Sequence, residues 1–231
     1  MTSLAAPGVA GAAWRLSPTW RRVLLLGPPL ALAAWTIVHP RPDENDPQAV
    51  MDVATWFAVF HFVQLALLGL VALSVLLLAD DFGRASAWTT RLGVGVFLLV
   101  FGSYDSIAGI ATGLAMRTAR DLPPAQQDGV WAAVKDWPGF EPSVFALNVV
   151  GTLGWVVAVG ALAVAARRMG APRSQWIFIA LAALFLMGGH PAPAGTLAFG
   201  SLFVAALLRE RSAAPAGRVE ASDAYSGARE T

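Results

Sequence analysis

RLGVGVFLLVFGSYDSIAGIATGLAM, from Arg91 to Met116, carries an acid, Asp105, near the middle of an otherwise apolar run. At about 1.5 Å of rise per residue, Leu92 to Met116 covers roughly 37 Å, enough to cross a bilayer as one helix. A carboxylate in mid-membrane is expensive, so Asp105 is the first candidate for a functional group. Gly102, Ser106, Gly109 and Gly113 recur at spacings of four, three and four, which predicts a small-residue face for close approach of another helix.

Composition points the same way. Of 231 residues, 56% are hydrophobic and 13% charged, where a soluble domain has about 25% charged. A net charge of +1 offers no footprint for nucleic acid, and the absence of cysteine excludes disulfides, iron–sulfur clusters and thiolate metal sites. Lys135 is the single lysine and falls in a connection, which excludes a mid-membrane Schiff base. The Ala-, Gly- and Arg-rich usage suggests a bacterial source of high GC content.

The chain reads as all-α, a polytopic bundle of six transmembrane helices over residues 20–209. The tails at 1–19 and 210–231 are expected to be flexible and disordered, respectively. Spans are predicted at about 22–38, 53–79, 92–116, 144–166, 175–189 and 195–208. Arg21-Arg22 ahead of an apolar core also describes a signal peptide, but Pro28-Pro29 interrupts that core and further spans follow. Asp46 followed by Pro47 predicts an N-cap with proline at the first helical position. Between spans three and four, Val130, Trp131, Val134 and Trp137 share a helical face. They predict a short interfacial helix in the outer loop, or one packed on the bundle. Asp80-Asp81 is expected only to cap and solvate the inner edge.

Arginine placement sets the orientation. With the N-terminus cytoplasmic, inside segments hold Arg15, Arg21, Arg22, Arg84, Arg91, Arg167, Arg168, Arg173 and the four arginines of the tail. Outside segments hold Arg41, Arg117, Arg120 and Lys135, a positive-inside bias. Both termini are therefore expected to be cytoplasmic, in a bacterial plasma membrane.

This topology collects polar residues in the outer half. His39 and His190 are expected at the outer interface, each opening a tetrapeptide of one pattern, His39-Pro-Arg-Pro42 and His190-Pro-Ala-Pro193. Proline stops both helices there. His61 is expected about two turns deeper, with Gln64 one turn below it. Asn148 and Thr152 share a face of span four, and Tyr104 adjoins Asp105. The reading that follows is an outward-facing polar site around Asp105 and His61, binding or transporting a small solute or a proton. Two alternatives stay open: an intramembrane enzyme acting on a lipid or isoprenoid with Asp105 as general acid, and a structural or partner-binding protein using the small-residue face. The bilayer is the expected partner, with a small-molecule or lipid ligand. Three imidazoles and a carboxylate would make a sound zinc or copper set. No two histidines have HxxxH spacing, however, and His61 is expected deeper than the others, so no metal and no cofactor are expected. No P-loop, GxGxxG, GxSxG or HExxH motif is present.

Overall fold

The computed structural model describes residues 16–43, 46–137 and 141–213, with the backbone alone at 84–86 and 213. The tail expectations for 1–15 and 214–231 lie outside the described residues. Among the described residues the fold is all-helical, with no strand. Four helical stretches are long and apolar enough to cross a membrane: Pro18–Val38, Pro47–Phe82, Ala87–Ala119 and Pro142–Arg168. A fifth, Arg173–Gly188, is apolar but shorter.

Local sequence explains the ends. α1 (Pro18–Trp35) starts where the Ser17 hydroxyl accepts from the Trp20 amide, so residues 18 and 19 join the helix instead of the tail. Helical structure continues through Pro28-Pro29 and closes with a 3-10 turn, Thr36–Val38. α2 (Pro47–Ala79) is capped as expected, with the Asp46 carboxylate accepting from the Gln48 amide at 2.9 Å. α3 (84–119) is continuous but not uniform. Two π-helical stretches, Phe97–Phe101 and Ser106–Ala111, bracket the α-helical turn Gly102–Asp105. π turns widen a helix locally and concentrate at functional sites.

α4 (Pro124–Val134) is the short helix expected between spans three and four, and its apolar face turns inward. Val134 is buried with Val50, Met51, Ala54, Met116 and Ala119, and Val130, Trp131 and Trp137 pack against that cluster. α5 (Pro142–Arg168) is capped by Glu141, whose carboxylate accepts from the Val144 amide at 2.8 Å and from the Ser143 hydroxyl. Those two donors hold the Glu141 pKa below its ordinary value. α6 (Arg173–Phe185) ends in the 3-10 turn Leu186–Gly188, and α7 (Ala194–Ala213) runs beyond 208, so residues 210–213 are helical where a disordered tail was expected.

α1 packs on α2, α2 on α3, α3 on α5, α5 on α6, α6 on α7 and α7 back on α1, which closes a six-membered ring. Aromatic side chains fill much of its interior. Trp155 is fully buried, 5.0 Å from Phe97 and 5.8 Å from Phe199 between ring centroids, and its indole N–H donates to the Ala182 carbonyl at 2.9 Å. The outer surface is the inverse of a soluble protein's. Leu99 is 74% and Phe62 69% exposed, and Val149, Val150, Leu153, Val157 and Val164 all face outward along α5. With four helices of spanning length, that surface fits hydrocarbon as solvent.

One end of the bundle is tied by charge. Asp81 accepts from Arg21 at 2.8 Å and from Arg209 at 3.0 Å, and Arg21 also pairs with Glu210 at 3.0 Å. The acidic pair is therefore not merely solvated: Asp81 joins the start of α1, the end of α2 and the end of α7. Asp80 pairs with Arg91 at 2.9 Å.

Candidate functional site

At the opposite end the helices stop short and fold inward. Residues 173–188 rise about 24 Å, and the chain leaving α6 turns toward the interior of the bundle, where His190 is buried. Gly189 makes that turn at φ +95°, a left-handed conformation that side chains resist. It delivers His190 to a buried position against Phe101, 5.9 Å between ring centroids. The chain leaving α1 mirrors it. Thr36 and Thr196 hydroxyls meet at 2.8 Å, the Ala192 amide donates to the Thr36 carbonyl at 3.3 Å, and Arg41 donates to the Ala192 carbonyl. The two His-Pro-x-Pro segments are thus stitched to each other.

The three imidazoles converge. His39 lies 5.1 Å from His61 and 5.0 Å from His190 between ring centroids, and His61 lies 5.8 Å from His190. One ring nitrogen from each falls within 4.8 Å of the other two. The expected two-turn difference in depth is therefore not seen. The connections that follow α1 and α6 place the His39 and His190 rings beside His61. The Trp35 indole N–H, donating to the Phe60 carbonyl at 3.2 Å, pins the end of α1 against α2.

Asp105 faces this triad from α3. Its Oδ1 is 4.0 Å from His61 Nε2 and 3.9 Å from His190 Nε2, and it accepts from the Gln64 side-chain amide at 3.0 Å. Asp105 and Gln64 are both fully buried. Asp105 Oδ2 and Gln64 Oε1 have no hydrogen-bond partner among the described residues, a costly condition for buried polar atoms. Gly109, one turn further along α3, makes the approach to α2 possible: a Cβ there would lie 2.2 Å from Cγ of His61. Gly113 meets Ala54 and Ala58 of α2 in the same way, so the Gly109–Gly113 half of the small-residue face is packed within the chain.

Backbone carbonyls set the ring orientations. His39 Nδ1 is 2.7 Å from the Pro40 carbonyl and His61 Nδ1 is 2.8 Å from the Phe57 carbonyl. A carbonyl only accepts, so each Nδ1 carries the proton and each neutral ring presents an Nε2 lone pair. The His39 lone pair points to within 3.2 Å of His190 Nε2.

A cavity of about 420 Å³ opens beside these groups. His39, His61, Asp105 and His190 line it, with Tyr104, Thr112, Asn148 and, toward the mouth, Arg41, Trp131 and Lys135. Of the residues singled out from sequence, His39, His61, Tyr104, Asp105, Asn148 and His190 border this space, and Gln64 stands behind Asp105. Thr152 does not border it; its hydroxyl bonds Asn148 Oδ1 at 3.3 Å. Sequence reading missed Phe57 and Pro40, whose contribution is a backbone carbonyl and leaves no side-chain signal, and the π turns around Asp105.

The fold and site together define a helical bundle with several apolar, span-length helices and a polar, histidine-rich cavity at one end. Set against protein-family models, curated proteins and solved structures, the chain matches none.

Proposed function

We propose that this is a six-span protein of a bacterial plasma membrane, with both termini cytoplasmic. Its cavity opens outward and binds a small solute, or a proton, at Asp105 and the three histidines. The observation that carries the reading is the placement of a buried carboxylate and three imidazoles on one cavity of ligand-sized volume. The arginine distribution supports the orientation, because the Arg21, Arg209 and Arg91 ion pairs lie at the end away from the cavity.

The absence of cysteine makes the test clean. Asn148→Cys places one thiol on the cavity wall, and Ser174→Cys places one at the opposite end. Intact cells treated with a membrane-impermeant maleimide should label the first and spare the second until the membrane is opened. The opposite pattern would overturn the orientation. A bound solute should also protect Asn148→Cys from the reagent, and Asp105→Asn should abolish that protection. Protection that survives Asp105→Asn would reject the site.

A further inference from the structure

Resting on that reading, we infer that the ligand of this cavity is a divalent first-row transition-metal ion of the zinc class. His39 Nε2, His61 Nε2, His190 Nε2 and Asp105 Oδ1 hold it. His39 and His61 each spend their Nδ1 proton on a backbone carbonyl, leaving both Nε2 lone pairs directed at the shared space. A ligating imidazole typically has this arrangement, its second nitrogen fixed by an acceptor outside the metal shell. Two Nε2 atoms 3.2 Å apart and a carboxylate oxygen 3.9–4.0 Å from two of the rings concentrate lone pairs and negative charge at one point.

The spacing suits one ion. In a tetrahedral site with metal–ligand bonds of about 2.0–2.2 Å, neighbouring donors lie roughly 3.3–3.6 Å apart. The observed separations of 3.2, 3.9 and 4.0 Å straddle that range, and the nitrogen set closes within 4.8 Å. A single ion holding all four donors draws the longer separations inward by about 1 Å. At 3.9–4.0 Å the His–Asp contacts are too long for hydrogen bonds, so the carboxylate is not already satisfied by the rings.

Donor chemistry narrows the choice. Imidazole nitrogen with one carboxylate suits zinc and its divalent neighbours; the all-oxygen sets of calcium and magnesium and the thiolate sets of copper(I) are excluded. Support from outside the donor shell is present at every position but His190. The Pro40 and Phe57 carbonyls orient two rings, and the Gln64 amide orients Asp105. Charge balance also improves, since the buried carboxylate gains a cation. The cationic groups near the mouth are engaged elsewhere: Arg41 with the Ala192 carbonyl and Lys135 with Asp136 at 3.2 Å. The cavity beside the donors leaves room for water or a further ligand on the ion.

The full chain, purified in detergent and stripped with a chelator, should take up one Zn²⁺ per molecule in equilibrium dialysis. Co²⁺ in its place should give the intense visible bands of a tetrahedral site, and Zn²⁺ should displace it. His39→Gln and His190→Asn should each weaken Zn²⁺ binding roughly 100-fold or more, and Gln64→Leu about 10–100-fold. Zn²⁺ binding by the unaltered chain no tighter than by His39→Gln, or only weak octahedral Co²⁺ bands, would overturn the inference. The cobalt spectrum is read on the unaltered chain, so a variant that fails to fold does not remove the test. Maleimide labelling from outside without zinc binding would reject the ion and keep the outward cavity. Zinc binding without labelling would keep the ion and reject the orientation.

Discussion

His39 and His190 stand 151 positions apart in the chain and meet Nε2 to Nε2 at 3.2 Å. The contact closes the helix ring at the cavity end, where α1 and α6 both stop and both connections fold inward. Because His39 carries its proton on Nδ1, the contact is either a single hydrogen bond donated by His190 or two lone pairs sharing a cation. In both cases the pair fixes the wall of the cavity facing Asp105.

The α2–α3 contact depends on the missing side chain at position 109. A Cβ there would sit 2.2 Å from the His61 ring. Gly109→Leu should lower unfolding stability by about 1–3 kcal/mol or more, through overpacking. Thermal unfolding followed by circular dichroism in detergent reads it. An unchanged midpoint would show that α3 does not rest on the His61 ring.

Gln64 supplies the hydrogen bond to Asp105 from α2. Gln64→Leu keeps the volume and removes the donor, so stability should fall by about 1–3 kcal/mol. Asp105→Leu combined with Gln64→Leu should restore part of that loss, because no buried carboxylate is then left without its amide. A double substitution as destabilised as the sum of the singles would argue that the two side chains do not act as a pair.

Asp81 sits between two guanidiniums at the far end of the bundle. Asp81→Asn should cost about 1–3 kcal/mol, as charge-assisted hydrogen bonds do, and make stability less sensitive to added salt. Unfolding midpoints in low and high salt test both parts. Equal salt dependence in the two proteins would mean the pairs contribute nothing.

At the start of α5, Glu141 accepts from the Val144 amide and the Ser143 hydroxyl, and its pKa lies below the ordinary value. A carboxylate depressed in the folded state stabilises above its unfolded pKa and loses that contribution as pH falls through the folded one. Glu141→Gln should therefore flatten the acid side of the stability profile and leave the neutral-to-alkaline shape unaltered. An acid limb as steep as in the unaltered chain would contradict the cap.

Much of the fold can be read from the sequence because apolar length and capping are local signals. Asp46-Pro47 marks the start of α2, and the apolar run through Asp105 marks α3. The site was legible only as an inventory. His39, His61, His190 and Asp105 stand out as polar residues in apolar surroundings, but their relative depth follows from where α1 and α6 stop. That stopping point depends on the 3-10 turns at Thr36–Val38 and Leu186–Gly188 and on Gly189, which no period in the sequence announces. The interfacial reading of α4 shows the same limit. Its apolar face is evident, whereas its partner cluster on α2 and α3 is a product of packing.

X-ray absorption at the zinc edge of the zinc-loaded chain tests most directly that the three histidines and Asp105 form one site. The expected first shell is imidazole nitrogen with one carboxylate oxygen, at about 2.0–2.2 Å, with the multiple-scattering pattern of three rings. A shell of oxygen alone, or one with a single imidazole, would contradict it.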